Sequence, residues 1–203
     1  MLSSATRKSE MARRSTHTPE ELRQKILLAA QNIIERDGLI GLSARELARA
    51  IGYSPGTLYN IFQNLDDVLL TLQTMMLANV LDVLKQVKPA DTPEKTIELY
   101  AEAYLSFALD NKFMWNLLFT HNMPQNTTLP SALIENARAI GAFVQDTVAK
   151  IFPDAKAVDV ELATSSLWVG IHGITAVAVT EKGPNLNAAT AKKFVAQLVR
   201  TYV

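Results

Sequence analysis

The side chains with the clearest chemical potential lie together in one short segment that follows a glycine. This segment combines small and polar residues, namely Ser54, Pro55, Gly56, Thr57, Tyr59 and Asn60. A helix that reads base edges in the major groove of DNA needs such residues at its N-terminus, because bulky side chains would hold its backbone away from the bases. Gly56 would allow close approach, the Asn60 amide could pair with adenine, and the Tyr59 hydroxyl could reach a phosphate. The segment therefore favours DNA recognition.

Enzyme chemistry has much weaker support in the sequence. The three histidines, His17, His121 and His172, do not have the spacing of metal ligands, and the chain has no cysteine. We find no glycine-rich phosphate loop, no paired-carboxylate motif and no serine nucleophile elbow. His121, followed by Asn122, could act as a catalyst in principle, but no second motif supports it. We therefore expect no enzyme activity and no cofactor or metal.

The elements that must position these side chains are helices. Apolar residues recur at intervals of three and four, and the few glycines and prolines, eight of each, fall between the apolar runs. The sequence therefore predicts an all-α protein. After a long helix that ends near Val87, helices are expected over about 93–110, 112–120, 130–152, 156–182 and 187–202.

Three helices and the start of a fourth are predicted from their caps. Thr18–Glu21 and Ser43–Glu46 have the pattern of capping boxes, Gly52 ends the second helix, Ser54 and Pro55 open the third, and Asn64 caps the fourth. Two short helices joined by a glycine-containing turn are typical of a helix-turn-helix module. The residues expected to face its core are Leu22, Ile26, Ala29, Ala30, Ile33, Ala44, Leu47, Ala48, Ile51, Leu58 and Phe62.

Charge is distributed unevenly, although the whole chain is neutral. Through Leu65 it has nine basic and six acidic residues, a net charge of +3, and the remainder has 11 basic and 14 acidic residues, a net charge of −3. A basic end on an acidic body suits a protein that approaches a polyanion at one end, although chance could produce so small an imbalance. Residues 1–17 lack periodicity and are expected to form a disordered basic arm, whose Arg13 and Arg14 either contact DNA or serve only solubility.

The composition also bears on the compartment. Apolar residues make up 48% of the chain, which is enough for a core. The N-terminus lacks the apolar stretch of a signal peptide, and no uninterrupted apolar run reaches about 18 residues. A membrane-inserted helix over 162–180 is an alternative, but His172 and several serines and threonines disfavour it. We therefore expect a soluble cytoplasmic protein without a membrane partner.

The segments Leu42–Ala48 and Ile51–Phe62 together resemble the DNA-binding half of TetR/AcrR-type transcriptional regulators. The strongest likeness is the pattern Gly-Thr-Leu-Tyr-x-x-Phe, which follows a capped helix and a glycine turn at the family's distance. The resemblance implies a homodimeric, all-α repressor that binds a double-stranded DNA operator. It implies a helix-turn-helix domain, here 18–65, and a ligand-binding and dimerisation domain, here 66–203. Trp168-x-x-x-His172-Gly173 also resembles the Trp-His-Gly pattern of one C-terminal subtype.

The resemblance places Ser43 and Arg45 like the family's residues that clamp the DNA backbone. Two positions depart from the family's pattern: Leu65 stands where lysine is frequent, and Ile61 stands where histidine or tyrosine is common. Both departures remove phosphate contacts, so that affinity would depend more on Arg45 and the arm.

Each of these residues also has a purely structural interpretation. Ser43 and Ser54 could act only as N-caps, and we expect the capping role in either case. Tyr59 could pack against the first helix. Arg45 and Arg49 could be solvated surface charges.

The body is expected to hold an effector cavity. A repressor dimer must present two recognition helices to successive major grooves about 34 Å apart, so that a modest change in the body can release one of them. Aromatic and methionine residues are concentrated between Met75 and Phe143, and they form either ordinary core or the wall of an apolar pocket. The predicted ligand residues are Met76, Tyr104, Phe107, Trp115, Asn116, Phe119, Trp168 and His172. His172 could equally be a satisfied histidine beside Gly173 at a helix crossing.

The last two helices, about 156–182 and 187–202, are predicted to form the homodimer. Small and β-branched residues between Ala163 and Val179 permit close helix crossing, and a helix this apolar should not face water on any side. Phe194, Leu198 and Tyr202 recur at intervals of four in the last helix. The favoured function is a repressor released by a small apolar effector; the alternatives are an activator or a regulator that responds to a protein partner.

Overall fold

The computed structural model describes residues 17–123, 127–181 and 187–202, and this part of the chain folds into α-helices without any strand. The all-α prediction is therefore confirmed. The helices are α1 (Pro19–Asp37), α2 (Ala44–Ile51), α3 (Pro55–Leu58), α4 (Leu65–Gln86), α5 (Pro93–Asp110), α6 (Lys112–Thr120), α7 (Ser131–Ile151), α8 (Ala157–Thr180) and α9 (Ala188–Tyr202). A 3₁₀ turn at Leu39–Gly41, which the sequence did not predict, follows α1.

The chain divides into two compact units, the first ending at Val68 and the second beginning at Leu69. Helix α4 begins in the first unit and has most of its length in the second. Two predicted features, the basic arm over residues 1–16 with Arg13 and Arg14, and the helix stop at residues 183–184, lie outside the described residues.

The predicted caps of the first unit form with two differences, one at α2 and one at α3. At α1 the capping box is complete: the Thr18 hydroxyl accepts from the Glu21 amide and the Glu21 carboxylate accepts from the Thr18 amide at 2.7 Å. At α4, Asn64 Oδ1 accepts from the Asp67 amide at 2.8 Å. At α2 only half of the box forms, because Glu46 pairs with Arg49 instead of turning back to the Ser43 amide.

The first unit buries the apolar faces of α1 and α2 together with Leu58 and Phe62. Ala29 and Ala44, predicted to be fully inward, are only half-buried, and Leu27 and Ile34 take part instead. Helices α1 and α2 end at Gly38 and Gly52, whose φ angles of 72° and 77° favour glycine. The core residues of this unit up to Phe62 are Leu22, Ile26, Leu27, Ala30, Ile33, Ile34, Leu47, Ala48, Ile51, Leu58 and Phe62.

The second unit is centred on α5, which packs against α7, α8 and α9. Helix α9 also packs against α8, and the two come close at Gly170, where an added Cβ would lie 2.6 Å from a methyl carbon of Leu198. Small residues thus permit a close crossing at Gly170 within one chain, and the crossing expected between the two subunits of a dimer stays a prediction. The space at Gly173 is open within 4 Å.

One side of α8 remains exposed in the single chain. Val158, Leu162 and Val169 are 65%, 66% and 69% exposed. In α9, Phe194 and Tyr202 are exposed, whereas Leu198 turns toward Gly170. The sequence predicted that no side of α8 would face water, and the structure leaves this apolar stripe uncovered in one chain.

Helices α4 and α8 are long and apolar enough, by length and composition alone, to cross a membrane. Their most apolar 18-residue windows have mean hydropathies of 1.4 and 1.5. Neither helix is an uninterrupted apolar run, because single polar residues, such as Gln73 and His172, interrupt each of them without lowering its mean hydropathy much. Half of the α4 window and one third of the α8 window are buried, and the core helix of a soluble protein passes the same test.

Candidate DNA interface and ligand cavity

The chain reverses direction between α2 and α3 through a tight glycine turn. Gly52 adopts a left-handed conformation, and its amide donates to carbonyl oxygens of the last turn of α2. The amide of Tyr53 donates to the Ala48 carbonyl at 3.0 Å, and Ser54 is extended. Gly52 thus provides a hydrogen-bond donor for carbonyl groups at the end of α2 and directs the chain into α3.

We call Ser54–Asn60 the α3 tip. Regular helix covers only Pro55–Leu58, although the amide of Phe62 still donates to the Leu58 carbonyl at 2.9 Å, so that turns continue beyond the helix. The prediction that Ser54 caps α3 with its side chain is wrong. Its hydroxyl lies 3.1 Å from the Thr57 hydroxyl instead, so the two polar groups satisfy each other.

The α3 tip is exposed on one side and anchored on the other. Leu58 is 3% exposed, whereas its neighbour Tyr59 is 54% exposed and Asn60 is also exposed. Burial of Leu58 and Phe62 therefore turns Tyr59 and Asn60 outward, which disfavours the alternative that Tyr59 packs against α1. Around Gly56 an added Cβ would meet only the Ser54 hydroxyl, at 3.8 Å. The backbone at Gly56 is thus accessible to a large partner.

The start of α2 presents Ser43 and Arg45. The Ser43 hydroxyl accepts from the Glu46 amide at 3.1 Å, so the predicted capping role is present. Arg45 is exposed and makes no ion pair with the described residues. Arg49, in contrast, lies 2.6 Å from Glu46, and this hydrogen bond holds the pKa of Glu46 below its ordinary value. Of the two arginines of α2, Arg45 is the one available to a phosphate.

Contacts that the sequence did not predict hold the turn region in place. Tyr53 bonds through its hydroxyl to His17 Nδ1 at 2.7 Å, and Lys25 of α1 lies 5.6 Å from its ring centre. The guanidinium of Arg23 lies 4.4 Å from the centre of the Phe62 ring. Cations of α1 thus pack over aromatic rings on both sides of the α3 tip, and only the assembled fold brings these pairs together.

The second unit contains a cavity of about 820 Å³. Side chains of α4 to α8 and of the segment between α6 and α7 line it, and most of them are apolar. The polar or charged members are Gln73, Tyr104, Arg138, Thr164, Ser165 and His172. A cavity of this size and lining suits a largely apolar small molecule.

Four of the eight predicted ligand residues line this cavity, namely Tyr104, Phe119, Trp168 and His172. The other four, Met76, Phe107, Trp115 and Asn116, are not among its lining residues. Helix periodicity does not explain these differences. On α4 the cavity takes Gln73, Leu77 and Val80, whereas Met76 lies on the same face but is buried in the core. On α5 the cavity takes Tyr104 but not Phe107, three positions further on.

Helix α7 contributes the largest part of the cavity wall that the sequence did not predict. Its lining residues recur at intervals of three and four, which is the signal that could have found them. They are Leu133, Ile134, Ala137, Arg138, Ile140, Gly141 and Val144.

Three ring side chains form a hydrogen-bonded cluster at one wall of the cavity. Trp115 Nε1 donates to the Tyr104 hydroxyl at 3.0 Å, and that hydroxyl lies 2.8 Å from His172 Nδ1. Trp115 also stacks on His172, with ring centres 5.0 Å apart, and Phe119 meets the His172 ring edge-on at 4.3 Å. Burial lowers the pKa of His172 and raises the pKa of Tyr104, so both side chains are neutral at pH 7. Trp115 is fully buried and does not line the cavity, so it contacts Tyr104 and His172 from the core side of the wall.

A second polar contact joins α4 to the end of α6. Gln73 Nε2 donates to the Leu117 carbonyl at 3.1 Å and lies 3.2 Å from His121 Nδ1. His121 therefore takes part in a contact of the cavity wall. Among the described residues, no group of three or more His, Asp or Glu side chains could hold a metal ion.

Comparison with known families decides the identity of both regions. Residues 26–72 match the family described as bacterial regulatory proteins of the tetR family, and residues 97–202 match the tetracyclin repressor-like C-terminal domain. The chain belongs to the TetR family. The TetR family consists of DNA-binding transcriptional regulators and not of enzymes, so the α3 tip belongs to a helix-turn-helix regulator.

Solved structures share this TetR fold over nearly the whole chain. A protein of unknown function from a Rhodococcus species has a TM-score of 0.72 at 22% identity, with 94% of this chain and 96% of that one covered. The TetR regulator PfmR from Thermus thermophilus has a TM-score of 0.64 at 17% identity, covering 86% and 97%. FadR from Bacillus subtilis, solved in complex with stearoyl-CoA, has a TM-score of 0.67 at 17% identity, covering 87% and 97%. A comparison with curated protein sequences finds no match.

Proposed function

We propose that this TetR-family regulator is a cytoplasmic repressor that binds operator DNA through the α3 tip and the start of α2. The observation that carries the proposal is the outward placement of Tyr59 and Asn60 above the buried Leu58, next to an accessible Gly56. In this assignment residues 18–65 are the DNA-binding domain, and residues 66–203 bind the effector and form the dimer.

The proposed contacts follow from the chemistry of each side chain. Ser54, Pro55, Gly56 and Thr57 are small enough to approach base edges, and the Asn60 amide has the donor and acceptor pair that adenine requires. Tyr59, Ser43 and Arg45 are assigned to phosphates, which fix the register of the protein on the duplex. Ser43, Arg45 and Tyr59 are all exposed in the free protein.

The test begins with genomic footprinting of the purified protein to find the operator. Operator affinity is then measured by fluorescence anisotropy for the wild type and for Tyr59→Ala. We expect the variant to lose operator binding while keeping its helical content. Leu28→Ala is the matched control, since Leu28 is also large, apolar and exposed but lies on α1. Wild-type affinity of Tyr59→Ala would show that the assigned surface does not bind DNA.

We also propose that a small, largely apolar ligand in the cavity releases the operator. The volume and the apolar lining of the cavity support this assignment. A complex of FadR with stearoyl-CoA shows that another protein of this fold holds a ligand with a long apolar part. Helix α4, which carries Gln73 on the cavity wall, is also the helix that begins at Leu65 in the first unit, so it offers a covalent route for coupling.

A thermal-shift screen of hydrophobic compounds tests the ligand proposal. A ligand that binds only the folded protein raises its free energy of unfolding by RT ln(1 + [L]/Kd). We expect compounds that raise the melting temperature also to lower operator affinity. A regulator that responds to a protein partner would instead show no stabilisation across the panel and would copurify with that partner.

The homodimer is assigned to the exposed stripe of α8 and to the exposed face of α9. Val158, Leu162 and Val169 form an apolar surface that a second copy would remove from water. Light scattering should give twice the chain mass of 22.3 kDa for the wild type. Leu162→Glu should give monomers, whereas Leu28→Glu, at an exposed leucine of the first unit, should remain dimeric.

A further inference from the structure

The hydrogen-bonded ring cluster at the cavity fixes the direction of its hydrogen bonds. An indole N–H can only donate, so the Tyr104 oxygen is the acceptor of the Trp115 bond. The phenolic hydrogen of Tyr104 has no acceptor among the described residues other than His172 Nδ1, 2.8 Å away, so we assign this bond to the Tyr104 hydroxyl as donor. In this assignment His172 Nδ1 is an acceptor and carries no hydrogen.

A neutral imidazole whose Nδ1 accepts a hydrogen bond carries its hydrogen on Nε2. Protonation would turn Nδ1 into a donor that faces the Tyr104 hydroxyl, which already accepts from Trp115. Burial disfavours this charged form and lowers the pKa of His172. Trp115 and Tyr104 together thus hold His172 as the tautomer with an Nε2–H donor.

This donor is directed to the cavity. Nε2 has no hydrogen-bond partner among the described residues, and every fully buried polar side-chain atom in that part of the chain has one. Nε2 is therefore not fully buried, and His172 lines the cavity. Trp115 covers one face of the ring and Phe119 packs beside it, so the cavity is the place where the donor meets a ligand.

We propose that His172 Nε2–H selects, among apolar ligands, molecules that carry an uncharged carbonyl group, and that Tyr104 and Trp115 are the residues that position this donor. The inference rests on the proposed function in taking the cavity as the effector site. A neutral donor favours an uncharged acceptor, because a carboxylate beside it would lose its hydration in this apolar wall without gaining a cation at His172. Arg138, the cationic member of the lining, is exposed on α7.

The tautomer itself can be measured without a ligand. Nitrogen-15 NMR of histidine-labelled full-length protein distinguishes protonated from unprotonated ring nitrogens, and His172→Gln assigns the signals of His172. We expect the Nε2–H tautomer in the wild type and a mixture of tautomers in Tyr104→Phe, which lacks the hydroxyl. An Nδ1–H tautomer in the wild type would overturn the proposal.

Ligand selection is tested with benzophenone and diphenylmethane, which have similar shapes and differ in the carbonyl. Isothermal titration of the wild type should show a preference for benzophenone of about threefold to tenfold, the effect of one neutral hydrogen bond. In His172→Phe the ratio of the two affinities should fall to about one, whatever the change in the affinity for diphenylmethane. The infrared carbonyl stretch of bound benzophenone should lie lower in the wild type than in this variant.

Three results would overturn the inference: equal affinity of the wild type for both probes, a benzophenone preference that persists in His172→Phe, or no binding of either probe up to its solubility limit.

Failure of the proposed function can be distinguished from failure of this inference. If His172 selects benzophenone but neither probe lowers operator affinity, the carbonyl site stands and release by an apolar ligand is wrong. If neither probe binds, the DNA-binding assignment remains open to its own test with Tyr59→Ala.

Discussion

The proposed DNA interface and the ligand cavity differ in how the chain builds them. The eight interface residues all fall between Ser43 and Asn60, on two short helices and the turn that joins them. The residues that line the cavity extend from Gln73 to His172, and they belong to α4 to α8 and to one connecting segment. The interface is a local product of caps and turns, whereas the cavity depends on the packing of distant helices.

At the DNA interface, the residues assigned to function contribute little to the stability of the fold. At the cavity, the same residues line the ligand site and stabilise the core. Apart from Leu58, the side chains of the α3 tip are exposed or half-buried, so their removal should affect DNA binding more than folding. The ring cluster at the cavity is part of the core, since Trp115 is fully buried and bonded to Tyr104. Changes there should affect folding and ligand binding together.

The largest expected effect is on the stability of the second unit. Trp115→Ala removes a fully buried aromatic side chain and leaves a cavity, which should lower the free energy of unfolding by about 3–5 kcal/mol. Thr57→Ala, at the α3 tip, should change it by roughly 0.5 kcal/mol or less, as is usual for surface substitutions. Urea unfolding of both variants measures the contrast. Similar losses in the two would show that the tip is part of the core.

A single methyl group added at the α3 tip should weaken DNA binding without changing the stability of the fold. Gly56→Ala meets only ordinary van der Waals contact in the free protein, so its melting temperature should stay close to that of the wild type. On DNA the added Cβ would separate the backbone from the groove and weaken base contacts, which are each worth about 1–3 kcal/mol. Operator affinity by anisotropy should fall at least about tenfold. Unchanged affinity would mean that Gly56 does not approach the duplex.

The two arginines of α2 should differ in the salt dependence of operator binding. Arg45 makes no ion pair with described residues, so Arg45→Ala should reduce the slope of log affinity against log salt by about 1.8, which is about 0.9 for each of the two phosphates that the two subunits of a dimer would contact. Arg49 already pairs with Glu46, and Arg49→Ala should change the slope less. Removal of residues 1–17 should also make the slope shallower if the arm contacts DNA. Equal slopes for wild type and Arg45→Ala would exclude the phosphate contact.

The smallest expected effect is a pH dependence that originates in the cavity wall. Burial lowers the pKa of His172 in the folded protein below its ordinary value of about 6.5, which the unfolded chain retains. Below pH 6.5 the unfolded state therefore binds more protons, and stability should fall as pH drops from about 6.5 toward the lower folded pKa. Above 6.5 both states are neutral and the effect is absent. His172→Gln should unfold with a smaller loss between about pH 7.5 and 5.5 in urea titrations, and an equal loss would contradict this assignment.

The sequence predicted the helices well because their ends are determined locally. Thr18, Ser43 and Asn64 cap their helices with their side chains, and each was predicted from residue type and spacing alone. A short third helix was also predicted, whereas the 3₁₀ turn at Leu39–Gly41 was not.

Prediction of the cavity succeeded only in part, for a physical reason. Tyr104, Phe119, Trp168 and His172 line it, but aromatic residue type could not tell these from Phe107 or from Trp115 behind the wall. The pairing of Tyr104 with His172 joins residues that are 68 positions apart, and no local pattern specifies it. No local pattern specifies the contact between Gln73 and His121 either, since they are 48 positions apart.

The most direct test of the α3 tip uses the absence of cysteine from the chain. A single cysteine introduced as Asn60→Cys can carry an iron chelate that cleaves nearby DNA, and Gln197→Cys, on α9, is the matched control. We expect the chelate at position 60 to cleave the operator in two patches about one helical turn apart, as a dimer bound to successive major grooves requires, and the chelate at position 197 to give no localised cleavage. Operator binding without localised cleavage from position 60, or with cleavage from position 197 instead, would contradict the assignment of the α3 tip to the major groove.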